Sequence, residues 1–330
     1  MSSPSFVGGA EPFTHNLYST FGTRRAIRPT ACSNLSAGFV EASTGGGEII
    51  TAREASGVAE LDKAFEDAAF GGGPGEWPLP TARTPRQLWL RAVAAGGQGR
   101  YGSAYADLAT LRQRVTAGPL ASLAHSTQGS FLRQLGWHTL ARGWDGRAFA
   151  LAGDDPEARA DALVGLAADA LGVGRFAAAA TLLTRADAAL DGAVLAPQTA
   201  DRLAVRRGWV GAELAMASGD GSTAVRRAEE AVQKAQSMTG GSARHRVKSD
   251  VVLAAALCSA GALDRARSVA EQALQAAEPL GLNPLRWALA CLLIGTGSVT
   301  VEPQGLPELV EIRDICAGEV QRAGGTWRTA

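Results

Sequence analysis

The chain has 330 residues, and its 32 Lys and Arg residues balance 32 Asp and Glu residues, so the formal net charge is zero. This balance excludes a strong overall field for nucleic acid or an anionic membrane and leaves only local patches. Aromatic residues make up 6% of the chain, and runs of β-branched residues are scarce, which argues against an all-β fold.

The first part of the chain divides into three segments. Residues 1–50 are rich in Ser, Thr, Gly and Pro without a sustained period, so we expect them to be disordered or loosely attached. Residues 51–70 predict a short amphipathic acidic helix, with Leu61 and Phe65 on its apolar face. A Gly/Pro linker follows over 71–84. The helix is either a cap on the main domain or a docking segment for a partner's groove or for this chain's own groove.

Residues 85–330 form one domain of apolar-periodic segments that alternate with short Gly- or Pro-containing breaks. Strand-like alternation is missing from this pattern. A Gly turn followed five residues later by Ala recurs at intervals of roughly 30 to 45 residues, which fits helical hairpins joined by loops of uneven length. The turns begin at Gly99, Gly143, Gly174, Gly219 and Gly261.

These hairpins resemble the tetratricopeptide repeat. Leu135-Gly136 matches the family's Leu-Gly pair in the first helix, Tyr101 and Phe176 match the aromatic residue at the turn, and Ala186 matches the later small residue of the second helix. The resemblance covers 85–279 and implies an all-α, right-handed superhelix of five to six antiparallel helix pairs.

The sequence departs from the repeat pattern at two positions where the family has a large apolar residue. Gly208 and Asp250 stand there instead.

The cysteines and apolar segments indicate the compartment. Cys32, Cys258, Cys291 and Cys316 are far apart in the chain, so no zinc or redox pair is evident. The most apolar window, residues 287–295, is too short to span a bilayer, and the N-terminus lacks the pattern of a secretory signal. We therefore expect a cytoplasmic protein without membrane contact.

The search for catalytic and cofactor motifs finds none. No P-loop is present, and no Gly-rich nucleotide-binding turn lies between a strand and a helix. The four histidines, His15, His125, His138 and His245, are not spaced as metal ligands relative to one another. We expect no catalytic residue, no cofactor and no metal site.

The resemblance implies which residues face the concave groove of the superhelix. Arg and Trp recur at these positions, side by side on the first helices, and they suit an acidic or aromatic peptide or a terminal carboxylate. Alternatively, Trp fills space between helix pairs and Arg covers its outer face. The candidate partner-binding residues are Arg86, Trp89, Arg133, Trp137, Arg206, Trp209, Lys248, Arg286 and Trp287.

These observations predict a non-catalytic scaffold or adaptor that binds a peptide or helix of a protein partner, with the 52–70 helix as a possible intramolecular plug of the groove. The alternative is a ligand-sensing or regulatory domain that acts with a separate transcription-regulator partner. A third class, an enzyme inside a helical toroid, would need carboxylates or histidines that face one cavity. A basic cluster over 219–267 is interleaved with acidic residues, so we expect a solvated face and no direct nucleic-acid binding.

Overall fold

The computed structural model describes residues 52–296 and 305–328, with side chains from residue 59 onward. In these ranges all regular secondary structure is helical, in thirteen helices. The predicted fold class, an all-α superhelix of five to six antiparallel helix pairs, is confirmed, whereas the expected disorder of 1–50 lies outside the described residues. The helices are α1 Ala52–Phe70, α2 Pro85–Gly97, α3 Tyr101–Arg114, α4 Pro119–Gln134, α5 His138–Leu151, α6 Pro156–Gly172, α7 Phe176–Leu190, α8 Pro197–Ala217, α9 Gly221–Gln236, α10 Ala243–Ser259, α11 Leu263–Ala277, α12 Asn283–Gly295 and α13 Gly305–Arg322.

Local sequence signals set the helix boundaries. Proline occupies the first turn of α2, α4, α6, α8 and α12, where its missing N–H costs no intrahelical hydrogen bond. Thr84 and Gln87 form a capping box at the start of α2, and Asp155 caps α6 through the Ala158 N–H. Gly99 and Gly174 have positive φ at the turns inside two pairs, a conformation that other residues rarely adopt.

The predicted turn at Gly143 is wrong, because Gly143 lies inside α5. The turn between α4 and α5 is formed by Leu135-Gly136 instead, so this dipeptide is not inside the first helix as the repeat pattern would have it.

Six helix pairs follow α1, beginning with α2 and α3 and ending with α12 and α13. The first helices of successive pairs pack side by side as an inner layer, and each second helix packs on its own partner outside. Because every outer helix reverses the chain, the six inner helices run in the same direction. Alanine permits the close packing: the buried face of α9 consists of Ala224, Ala228, Ala231 and Ala235.

The array curves until its two ends meet, so the helix pairs form a ring. The Gly102 N–H donates to the Ala323 carbonyl (2.7 Å), and the Arg328 N–H donates to the Leu135 carbonyl (2.9 Å). Val320 of α13 is buried in the same core cluster as α2 and α3. The segment after α13 therefore ties the last pair to the first two pairs.

Gly208 departs from the repeat pattern because α8 and α9 approach closely at this point. A Cβ on Gly208 would lie 3.1 Å from the Ala231 Cβ, so a large apolar residue has no room there.

Asp250, at the other departure, titrates at unusually high pH. Burial raises its pKa to about 6, with Arg246 opposing the shift. Folding favours the protonated form of Asp250. The contribution of this group to the free energy of unfolding is therefore fully present below the ordinary Asp pKa and is lost as the pH rises through about 6.

Asp250→Asn should therefore increase the free energy of unfolding at pH 7–8 by about 1 kcal/mol, a value reduced for solvent screening because Asp250 is partly exposed. Below about pH 4 it should have no effect, because Asp250 is protonated in the folded chain. Urea unfolding across this pH range measures the difference. The control Asp154→Asn, at an exposed position, should show no such gain, and an equal gain at both ends of the pH range would contradict the assignment to Asp250.

No helix in the described ranges combines the length and apolar character needed to cross a bilayer.

Candidate ligand-binding chamber

The concave surface of the ring encloses a chamber of about 850 Å³, and all six inner helices contribute to its walls. The sequence predicts an open groove along a superhelix. The structure differs because the ends of the array meet, which converts the groove into a partly enclosed cavity. Its volume lies in the upper part of the ~300–1,000 Å³ range of small-molecule sites.

Five of the nine sequence-predicted site residues line this chamber. The Trp89 indole donates to Thr127 (3.0 Å), and the Trp209 indole donates to Ser249 (2.8 Å). These hydrogen bonds fix the two rings, which leaves their faces as chamber wall. The five are Trp89, Arg133, Arg206, Trp209 and Lys248.

The other four predicted site residues are not part of the chamber wall. Arg86 is 59% exposed and pairs with Glu66 of α1, and Arg286 pairs with Glu278. The two remaining residues hold the segment after α13: Trp137 donates to the Thr326 carbonyl (2.7 Å), and Trp287 stacks on Trp327 (4.3 Å between ring centroids).

Two neighbouring inner helices each present a pair of cations to the chamber. Arg202 and Arg206 are one turn apart on α8, and Arg244 and Lys248 are one turn apart on α10. Sequence reasoning missed Arg202 and Arg244. The four-residue spacing from Arg206 and Lys248 was the available signal, because residues at i and i+4 share a helix face.

Acidic residues of α6 neutralise the α8 pair in part. One Asp161 carboxylate oxygen accepts from Arg202 (3.1 Å) and Arg206 (2.6 Å), and the other accepts from the Ser126 hydroxyl (2.6 Å). Burial opposes ionisation of Asp161, but Arg206 and Arg202 outweigh it and hold the pKa of Asp161 below its usual range. Glu157 also accepts from Arg202 (2.6 Å). Both carboxylates are thus engaged by arginine.

Arg244 differs from the other chamber arginines in its surroundings. It donates to the Val93 carbonyl (3.0 Å), and no carboxylate within the described part of the chain pairs with it. Burial, together with the nearby Arg206 and Arg202, lowers the pKa of Arg244 to about 10. A buried guanidinium without a carboxylate partner is costly, and a bound anion would remove much of that cost.

The end of α1 reaches this cationic region. The Phe70 ring lies 5.3 Å from the Arg202 guanidinium and 6.0 Å from that of Arg244, and it contacts Trp89 at 5.5 Å between centroids. The next residue, Gly71, accepts from the Ala243 N–H at the start of α10 (3.1 Å). Helix α1 therefore covers the end of the chamber at which the inner helices begin.

His245 completes the aromatic wall and is neutral. Its ring stacks on Trp209 (5.4 Å between centroids) and bonds to the Ser242 hydroxyl (2.7 Å). Burial lowers the pKa of His245 well below its usual range, and neighbouring arginines including Arg244 add to the shift. His245 therefore contributes stacking surface without charge at neutral pH.

Arg133 lines the chamber and is held by two acidic residues that lie behind the wall. It bonds to Asp145 of α5 and Asp169 of α6, both fully buried. Burial raises the pKa of both carboxyls, and a hydrogen bond with Asp169 further favours the protonated form of Asp145. Gly129 and Gly165 make room for the Asp145 carboxylate, which a Cβ at either position would meet at about 2.5 Å.

Fold and chamber together define the class of this protein, an all-helical ring of helix pairs around a charged cavity. Within the described residues no group of His, Cys, Asp and Glu side chains converges to hold a metal ion. No protein-family model matches the chain, and no curated protein matches it in sequence.

Proposed function

We propose that this chain is a non-catalytic, tetratricopeptide-like regulatory protein that binds a small anionic ligand in its central chamber. The observation that carries the proposal is Arg244, a chamber-facing arginine whose neighbours are two other arginines and an aromatic ring. A site with this excess of guanidinium groups favours a carboxylate, sulfonate or phosphate.

Binding accounts for the chamber carboxylates better than catalysis does. Asp161 is held ionised by two arginines and Ser126. Glu213 lies 3.8 Å from Lys248, and burial raises the pKa of Glu213. A general acid or base must be able to reach the substrate proton, whereas these two carboxylates are directed to cations of the wall. Asp161 and Glu213 are therefore placed to hold the wall cations in position.

The enclosure of the chamber favours a small ligand over a partner helix. The two ends of the array meet, and α1 covers the end at which the inner helices begin. The volume of about 850 Å³ lies within the ~300–1,000 Å³ range of small-molecule sites. The ligand-sensing alternative therefore fits the geometry better than a scaffold that receives a helix.

A second candidate, binding of an acidic aromatic segment of a protein partner, is favoured by Phe70. This residue ends an acidic helix, and its ring lies beside Arg202 and Arg244. A partner segment with the same chemistry could occupy this place if α1 moved away.

Native mass spectrometry of the full chain, purified from the cells that make it, tests the proposal. The chain should carry a bound molecule below about 1,000 Da that is released on denaturation, a limit set by the chamber volume. The double variant Arg206→Gln/Arg244→Gln should lack it. The control Arg226→Gln should retain it, because Arg226 is 60% exposed on α9 and pairs with Glu230.

Two results would overturn the proposal. One is a chain that carries no small molecule even after incubation with a small-molecule extract of the same cells. The other is a bound peptide in place of a small molecule, which would establish the second candidate instead.

A further inference from the structure

The two ends of the chamber differ in the side chains that line them. The end covered by α1 carries the cations of α8 and α10. The opposite end is formed by the last turns of the inner helices, where α6 and α8 finish at Gly172 and Ala217. A ligand that fills the chamber therefore meets two different environments.

The covered end is suited to hold an anionic group. Arg206 donates one hydrogen bond to Asp161, and Arg244 donates one to Val93. No other acceptor for either guanidinium is present in the part of the chain that the structure describes, so most of their five donors each remain available to a ligand. The N-termini of the inner helices lie toward this end and add positive potential.

The opposite end is suited to an apolar group. His138 is neutral there, because burial, with help from Arg133 and Arg328, lowers its pKa to about 4. Arg133 also borders this end, and its charge is compensated by Asp145 and Asp169. The walls are made by aliphatic and small side chains of four inner helices, namely Ala168, Leu171, Met216, Ala255 and Leu292.

The charge balance at the covered end selects a ligand with one negative charge. Arg202, Arg206, Arg244 and Lys248 supply four positive charges. Their carboxylate partners supply three negative ones, from Glu157, Asp161 and Glu213. Among the described residues, one positive charge of this cluster is left without compensation. A monoanion neutralises the cluster, whereas a dianionic phosphate would leave a buried negative charge.

We propose that the chamber binds an amphipathic monocarboxylate, with its carboxylate on Arg206 and Arg244 and an unbranched alkyl chain against the apolar walls. This proposal rests on the proposed function and specifies its ligand class. The carboxylate would accept charge-assisted hydrogen bonds from two guanidinium groups. The chain would bury apolar surface that is otherwise in contact with water.

Isothermal titration of the full chain with hexanoate, octanoate and decanoate tests the alkyl-chain part of the proposal. Each added methylene should tighten binding ~fourfold, from ~0.8 kcal/mol per buried methylene. Methyl decanoate, which has the same chain without the charge, should bind more than tenfold more weakly than decanoate. Decyl phosphate should also bind more weakly than decanoate, because of its second charge.

Matched variants test the carboxylate part. Arg244→Gln should weaken the binding of decanoate more than tenfold and leave the affinity for methyl decanoate unchanged. Arg244→Lys should restore part of the affinity for decanoate. Arg226→Gln should change neither. Circular dichroism reports whether the variants fold. If Arg244→Gln does not fold, the ratio of acid to ester affinity on the unmodified chain decides the question.

The outcomes separate this proposal from the proposed function. Affinity that is independent of chain length, or an ester that binds as tightly as the acid, overturns the monocarboxylate proposal. If the chain retains a cellular small molecule in the mass spectrum but binds none of the carboxylates, the proposed function stands and the ligand class is wrong. If it retains no molecule and binds no carboxylate, both are wrong.

Discussion

Arg133→Ala should lower the free energy of unfolding by about 3–5 kcal/mol, because it leaves Asp145 and Asp169 buried without their cation. Chemical denaturation at pH 7 measures the loss. The loss should be smaller in acid, where protonation of the two carboxyls removes the uncompensated charge. A cost that is unchanged between neutral and acidic pH would contradict this origin of the effect.

Arg86→Ala is the matched control for this change. Arg86 pairs with Glu66 at 2.8 Å, but both side chains are largely exposed, so the loss should stay below about 1 kcal/mol. Arg133 and Arg206, the two chamber arginines predicted from sequence, differ as targets for mutation. Loss of ligand binding in Arg133→Ala would report damage to the fold. Arg206 can be changed without that damage, because Asp161 keeps Arg202 and Ser126 as partners.

Trp327→Ala should open the ring. Trp327 stacks on Trp287 and packs against α13, and it also packs against the core cluster that contains α2 and α3. Its removal should therefore cost about 2–3 kcal/mol, less than the ~3–5 kcal/mol of a fully buried Trp. Hydrogen exchange should accelerate at the Gly102 and Arg328 amides, which are bonded across the closure.

Phe176→Ala is the control for the closure. Phe176 is 38% exposed at the start of α7, and its removal should cost below about 1 kcal/mol without faster exchange at the Gly102 amide. The C-terminal segment does not hold the ring together if Trp327→Ala lowers the free energy of unfolding by less than this control does. The same conclusion follows if the exchange rate of the Gly102 amide is unchanged.

The candidate site was predictable only in part, for a reason that α8 and α10 illustrate. Repeat register placed Arg206, Trp209 and Lys248 on the concave face, and all three line the chamber. The same four-residue spacing points to Arg202 and Arg244. Register alone does not show that Arg202 has carboxylate partners on α6, or that Arg244 has none among the residues the structure describes. That difference arises from contacts between residues about 40 positions apart.

The sequence by itself determined the helix pairs, because helical period, proline at helix starts and glycine at turns act within a few residues. It also determined the alanine faces along which the helices pack. Only the tertiary structure decided that six pairs close into a ring, since curvature accumulates from small rotations between neighbouring pairs that no local pattern encodes. Closure places Trp137 in a contact that joins the ends and Trp287 in the stack that holds the C-terminal segment on α12, and it turns an expected groove into a chamber.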